Sequence, residues 1–281
     1  MILAHTKFQV LKTLIGLLDN ADNDIYIHFD KKVKILPELK SQYSKIIILE
    51  KRTDVHWGDV SMIEAEYNLF DEANKQKKYD YYHLISGVDL PIQSTQRINQ
   101  FFIENEGKEF IGFSNNISAE EINKRVQYYH LFPLSFQKNT GFVNFLKRSI
   151  RYGFIQIQKV FNIKRNPDVA FKKGTQWISV THEFVKYLIS QKKWVLKNFQ
   201  NTYCGDEIFV QTLCWNSKFI DKVYDTENEG NGSQRCIGWV NGELKDFEEK
   251  DVLSILSSDL LFARKFSENP IILNQVVNHV K

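Results

Sequence analysis

The feature that most narrows the folding options of this chain is an alternation, over its first 113 residues, of short apolar runs with amphipathic stretches. Strand-like runs occupy 2–4, 25–29, 45–49, 81–85 and 110–113, and apolar residues recur at helical spacing over 7–18, 60–74 and 96–104. The runs are apolar at consecutive positions, as a strand covered on both faces requires; a strand with one wet face would alternate. Strands separated by helices predict an α/β fold, a mostly parallel central sheet flanked by helices. Such sheets bind ligands beyond the carboxyl ends of their strands, near the point where strand order reverses. The polar residues directly after the strands are therefore the first candidates: His5 and Thr6, then Asp30, Lys31 and Lys32, then Ser86, Gly87 and Asp89.

From Ser114 the pattern loosens through Tyr128-Tyr129-His130 and a basic stretch, before order returns. Strands are expected at 176–180, near 219–223 and at 235–239, with helices at 183–193, after Asp206 and at 248–256. No repeat or low-complexity linker interrupts the 281 residues, and 43% hydrophobic content suffices for one core. The expectation is a single compact domain whose halves, 1–113 and 114–281, share that core. Nine basic residues and one acid, Asp168, fall between Lys138 and Lys173, although the net charge is only +3. Cys204, Cys214 and Cys236 show neither metal-site nor disulfide spacing, and no apolar run approaches the ~20 residues needed to span a bilayer. These features suggest a reducing, cytoplasmic setting.

Several chemistries are disfavoured. The chain has no G-x-x-x-x-G-K-[ST] phosphate loop, no G-x-G-x-x-G after the first strand, no H-E-x-x-H and no G-x-S-x-G elbow. What it has is Gly205-Asp206-Glu207 leading into an apolar helix, some thirty residues after Gly174-Thr175-Gln176-Trp177-Ile178-Ser179. Adjacent carboxylates there either complement a helix N-terminus or hold one catalytic base beside a sugar-sized cleft. In Val55-His56-Trp57-Gly58-Asp59-Val60-Ser61, Asp59 caps the next helix or binds a ligand, and Trp57 fills the core or covers a ring. Leu84-Ile85-Ser86-Gly87-Val88-Asp89-Leu90-Pro91 ends a buried strand in a turn, with or without a ligand role. The single D-x-D, Asp22-Asn23-Asp24, precedes a strand and so falls at the sheet edge opposite to where ligands bind.

Together with Leu261-Phe262-Ala263-Arg264-Lys265-Phe266, these segments occur in the order and approximate spacing of the core-2/I-branching β-1,6-N-acetylglucosaminyltransferases and their xylosyltransferase relatives. The chain resembles that family from Ile2 to Phe266, in a bacterial-type form without stem, anchor or cysteine framework. The resemblance implies a GT-A-like fold and an inverting, metal-independent, cofactor-free transferase. It would move N-acetylglucosamine or a related hexose or xylose from a UDP-sugar to a glycan or lipid-linked oligosaccharide in surface polysaccharide or glycolipid synthesis. It implies Glu207 as general base, and Ala4, His5, Thr6, Asp30, Lys31, Lys32 and Trp57 around the nucleotide. Arg264 and Lys265 would meet the diphosphate, and Arg125, Trp177, Asp206 and Trp239 the acceptor. The family's second diphosphate-binding arginine falls, counted without gaps, on Gly242; Lys245 or Arg235 is its candidate substitute.

The residues are compatible with that chemistry. A sugar hydroxyl needs a carboxylate within hydrogen-bond reach, worth roughly 10²- to 10⁴-fold, and the departing UDP needs a metal or fixed cations. A glycoside hydrolase would need a second carboxylate facing Glu207, and a non-catalytic sugar-binding protein would not need Glu207 at all. Between Phe142 and Phe161, apolar residues at helical spacing interleave with Lys and Arg, suiting either a helix on an anionic membrane surface or an ordinary amphipathic helix packed on the core. No nucleic-acid-binding module accompanies the charge.

Overall fold

The computed structural model describes residues 1–136, 141–240 and 243–281, so Lys138 and Gly242 lie outside the described residues. The elements are, in chain order, β1 (Ile2–Ala4), α1 (Phe8–Leu18), β2 (Asp24–Phe29), β3 (Lys45–Ile48), α2 (Val60–Gln76), β4 (Tyr81–Ser86), β5 (Leu90–Pro91) and α3 (Thr95–Glu104). There follow α4 (Ala119–Val126), α5 (Phe142–Val160), β6 (Ile178–Thr181), α6 (His182–Phe199), α7 (Phe209–Trp215), α8 (Glu229–Ser233), β7 (Arg235–Ile237), β8 (Trp239–Val240), β9 (Glu243–Leu244), α9 (Val252–Leu256), β10 (Phe262–Arg264) and α10 (Pro270–Val280).

The central sheet has the order β3-β2-β1-β4-β6. Its first four strands are parallel, and β6 runs antiparallel against β4. Side chains along each strand point alternately to two cores. Leu3, Tyr26, Tyr82 and Leu84 face α2, α6 and α7, whereas Ile2, Ile25, Ile27 and Ile85 face α1, α3 and α10. This double coverage is why the runs read as continuously apolar. The architecture is a GT-A-like single α/β unit, as expected. Helix starts follow side-chain acceptors: Asp59 takes the Ser61 N–H at 3.0 Å, Ser94 the Arg97 N–H at 3.2 Å and Thr181 the Phe184 N–H at 3.3 Å.

Two expected strands are not formed. Residues 110–113 contribute only an isolated bridge, Phe110 to Ser179. Beyond it the backbone is wedged between neighbours: Ser114 N–H bonds Lys173 O at 2.8 Å and Gly112 O accepts from Gln211 Nε2 at 3.2 Å. No regular ladder fits there. Residues Lys218–Lys222 form a 3-10 turn capped by the Ser217 hydroxyl, because apolar Phe219, Ile220 and Val223 satisfy a helical turn as well as a strand. The 235–239 run breaks at Gly238, where a Cβ would stand 2.7 Å from the Phe247 ring. Helices α4 and α10 were not anticipated.

Candidate active site

In this sheet the strand order reverses between β1 and β4, since β2 and β3 lie on one side of β1 and β4 on the other. A cleft of about 340 Å³ opens at the carboxyl ends of these strands, within the size range of small-molecule sites. Ala4 ending β1 with His5 and Thr6 after it, Asp30 after β2 and Ser86 ending β4 line it. Gly87 lets the two strand ends approach: its N–H bonds Leu3 O at 2.8 Å, and a Cβ there would sit 3.2 Å from that of Ala4. Asp30 is nearly buried, with Oδ1 accepting from the Lys32 N–H at 2.8 Å and Oδ2 paired with Lys32 Nζ at 3.2 Å. Lys31 and Lys32 are not among the cleft-lining residues; Lys32 is spent on Asp30, Asp54 and the Val55 carbonyl.

The motifs converge on this cleft through specific contacts. Asp59 is a helix cap, as its hydrogen bond to Ser61 shows. Gly58 turns the chain with φ of +75°, and its carbonyl accepts the Cys204 N–H at 2.9 Å, which brings Trp57 beside Gly205-Asp206-Glu207. Trp57 is about half exposed at the cleft and meets Tyr203 edge to face with centroids 5.7 Å apart. Asp89, fully buried, accepts the Ser86 N–H at 2.8 Å and pairs with Arg264 Nε at 3.4 Å. Arg264 lies over the buried Trp177 ring at 4.2 Å. One carboxylate thus ties the β4 turn, the β6 approach and β10 into one wall. Arg264 faces the cleft already paired.

Glu207 also lines the cleft, in a 3-10 turn, Gly205–Glu207, just before α7. Its side chain is 34% exposed, and its Oε2 stands 3.2 Å from Lys173 Nζ and 3.5 Å from Arg125 Nη1. Its backbone carbonyl accepts the Gly174 N–H at 2.9 Å. Gly174 is obligatory in physical terms, because a Cβ there would come within 1.8 Å of Gly112 O. Gln176, also on the cleft, donates to Glu66 Oε1 at 2.7 Å. Burial, and secondly the charge of Asp206, push the Glu66 carboxyl well above its usual range. Asp206 is raised to about 7, by burial first and by Glu207 second, and its Oδ1 has no hydrogen-bond partner among the described residues. Burial, with Lys32, Lys265 and Lys7 nearby, outweighs Asp30 and lowers His5.

The cations divide clearly. Lys265 lines the cleft, and so does Lys7, which the sequence reading missed. Asp246 bridges them, paired with Lys7 Nζ and 3.9 Å from Lys265 Nζ. Lys7 also donates to Phe266 O at 3.3 Å. Its place two residues past His5, at the same sheet edge, was the available signal. Neither proposed substitute for the second diphosphate cation reaches the cleft. Arg235 is 1% exposed and donates to Ser233 O at 2.9 Å, Ser179 Oγ at 2.9 Å and Ile178 O at 3.1 Å, bracing β7 against β6. Lys245 faces a separate groove. Trp239 is exposed on the β8–β9 hairpin and does not line the cleft, although Leu244, its cross-strand partner, does. Arg125 contributes by holding Glu207. Asp22-Asn23-Asp24 lies at the far edge, with Asp24 bound to the Tyr79 hydroxyl at 2.6 Å and to Lys77.

The chain is 22% identical, over all of its length, to a xylosyltransferase of Ciona intestinalis. It is 24% identical over 94% of its length to Xylosyltransferase oxt of Drosophila pseudoobscura pseudoobscura, and 24% identical over 70% to Xylosyltransferase sqv-6 of Caenorhabditis briggsae. It spans 33%, 30% and 24% of those proteins respectively. The sequence model of the Core-2/I-Branching enzyme family matches residues 1–257, which takes in Glu207 and stops short of Arg264 and Lys265. With the family's motifs meeting at one cleft and its model covering most of the chain, this protein belongs to the Core-2/I-Branching enzyme family.

Proposed function

We propose that the protein is an inverting glycosyltransferase that moves a sugar, N-acetylglucosamine or a related hexose or xylose, from a UDP donor to a glycan or lipid-linked acceptor in surface polysaccharide or glycolipid synthesis. The observation that carries this reading is one cleft lined both by a carboxylate, Glu207, and by two ammonium groups, Lys7 and Lys265. The acceptor oxygen attacks the anomeric carbon while the bond to the diphosphate breaks, and Glu207 takes the hydroxyl proton. The UDP leaves with added negative charge, which Lys7, Lys265 and Arg264 meet as fixed cations in place of a divalent ion. Lys173 and Arg125 orient the Glu207 carboxylate. Ala4, His5, Thr6, Asp30 and Trp57 border the nucleotide, and Trp177 and Asp206 the acceptor sugar. The protein works at the inner face of a membrane, as a lipid-linked acceptor requires. A hydrolase needs a second carboxylate free to act opposite Glu207; among the described residues, the other carboxylates lining the cleft are Asp206, its chain neighbour, and Asp30, which is paired with Lys32.

The test is UDP release from a panel of UDP-sugars, with and without EDTA and candidate glycan acceptors, for wild type and Glu207→Gln. Transfer should fall by about 10²- to 10⁴-fold in the variant with UDP affinity nearly intact. Failure of every UDP-sugar to bind or turn over refutes the reading, and joint loss of binding and turnover in Glu207→Gln makes Glu207 structural.

A further inference from the structure

Helix α5 is 19 residues long, yet only Gln158 within it is buried. Polar side chains tie it to the body. Gln158 accepts the Tyr129 N–H at 2.8 Å and donates to Tyr129 O at 2.9 Å. Arg151 donates to Leu131 O at 2.8 Å and lies 4.5 Å over the Phe136 ring, and Lys147 reaches Ser135 Oγ at 3.2 Å. At 3.6 residues per turn, the flank adjoining these contacts carries Phe142, Val143, Leu146, Ile150, Ile157 and Val160, all exposed. Phe142 is 79% and Val160 81% exposed, and a Cβ added at Gly153, on the same stripe, would meet nothing within 4 Å. A continuous apolar stripe of this kind marks an interaction surface rather than scattered surface residues.

Charge selects the occupant. Residues 141–173 hold eight Lys and Arg against Asp168, with Arg148, Lys159 and Lys164 exposed. A second copy would set this positive region against itself. An anionic lipid surface satisfies both the apolar stripe and the cations. The position also fits, because Phe136, beneath Arg151, meets Tyr203 edge to face at 5.0 Å, and Tyr203 in turn meets Trp57 at the cleft. We propose that α5 is the docking surface for an anionic bilayer, placing its apolar stripe among the headgroups and the Trp57–Tyr203 rim of the cleft beside an acceptor held in that surface. This extends the transfer reading by fixing where its lipid-linked acceptor is met.

Flotation of the full chain with vesicles of phosphatidylcholine, alone or mixed with phosphatidylglycerol, tests the proposal, with UDP binding measured on the same preparations. The protein should partition onto the mixed vesicles only and be released by high salt. Combined Phe142→Ser, Ile150→Ser and Val160→Ser, and separately Arg148→Glu with Lys159→Glu, should each weaken partition by about tenfold or more with UDP binding unchanged. Wild-type protein that ignores anionic vesicles, or serine variants that float like wild type, overturns it. So does a stable dimer in solution that the serine substitutions dissociate, since that assigns the face to a second copy. Intact UDP binding without flotation sinks the surface alone; flotation without UDP-sugar binding sinks the transfer reading alone.

Discussion

Replacing Lys7 by Met is the sharpest test of how the cleft holds a donor. Lys7 and Lys265 have side chains 25% and 33% exposed, and both face the cleft while Asp246 neutralises only one of the two charges. A charge-assisted contact to a phosphate contributes about 1.5 to 3 kcal/mol, and partial solvation discounts this to about 1 to 2 kcal/mol. Lys7→Met should therefore weaken UDP binding by about 5- to 30-fold, and Lys265→Met by a similar factor. Uridine, which lacks the diphosphate, should bind both variants within about twofold of wild type. Isothermal titration with UDP, UMP and uridine gives the comparison directly, and Lys7→Arg should recover most of the UDP affinity because it restores the charge. Equal losses for UDP and uridine, or unchanged UDP binding in Lys7→Met, would refute the assignment of Lys7 to the diphosphate.

Other substitutions probe the framework. Gly174→Ala forces a Cβ against Gly112 O and should destabilise the fold by about 3 kcal/mol in urea unfolding, whereas Gly16→Ala, in open space on α1, should stabilise it by up to about 1 kcal/mol; comparable effects would contradict the packing account. Asp206 has a raised folded pKa, so the native state binds more protons than the unfolded chain between 3.8 and about 7, and stability falls as pH rises through that window. Asp206→Asn should then melt like wild type near the acid end and higher at pH above that window; a pH-independent difference would sink this. Lys173→Met, which removes the cation 3.2 Å from Glu207, should lower kcat for transfer by about tenfold with the KM for donor little changed, and a pure KM effect would place Lys173 in donor binding instead.

Much of the sheet was legible because local rules and tertiary environment agree there. The strands at 25–29 and 81–85 are apolar on both faces apart from His28 and His83, for the reason the structure gives, a core on each face. Residues 110–113 and 219–223 also carry apolar side chains, yet the first pairs with β6 only through Phe110 and the second closes a 3-10 turn, so apolarity alone misassigned them. The candidate site followed the same division. Residues at strand ends, His5, Thr6 and Asp30, were found from the edge rule and line the cleft. Lys31 and Lys32 satisfy that rule equally, but neither lines the cleft and Lys32 is paired with Asp30 and Asp54, which a strand-end rule cannot distinguish.

Arg235 and Lys7 show the limit most plainly. Nothing local marks Arg235 as a buried brace, and Lys7 has only its place just past the β1 end to mark it as a cleft cation. The sequence by itself determined the α/β alternation, the helix caps, the glycines at close approaches and the family motifs, because these depend on backbone conformation and on neighbours a few residues away. Only the tertiary structure decided which charges share a wall, as with Lys7, Asp246 and Lys265 across more than two hundred positions. Electrostatic partnership depends on distance in space and on desolvation, and neither is encoded in any one segment of the chain.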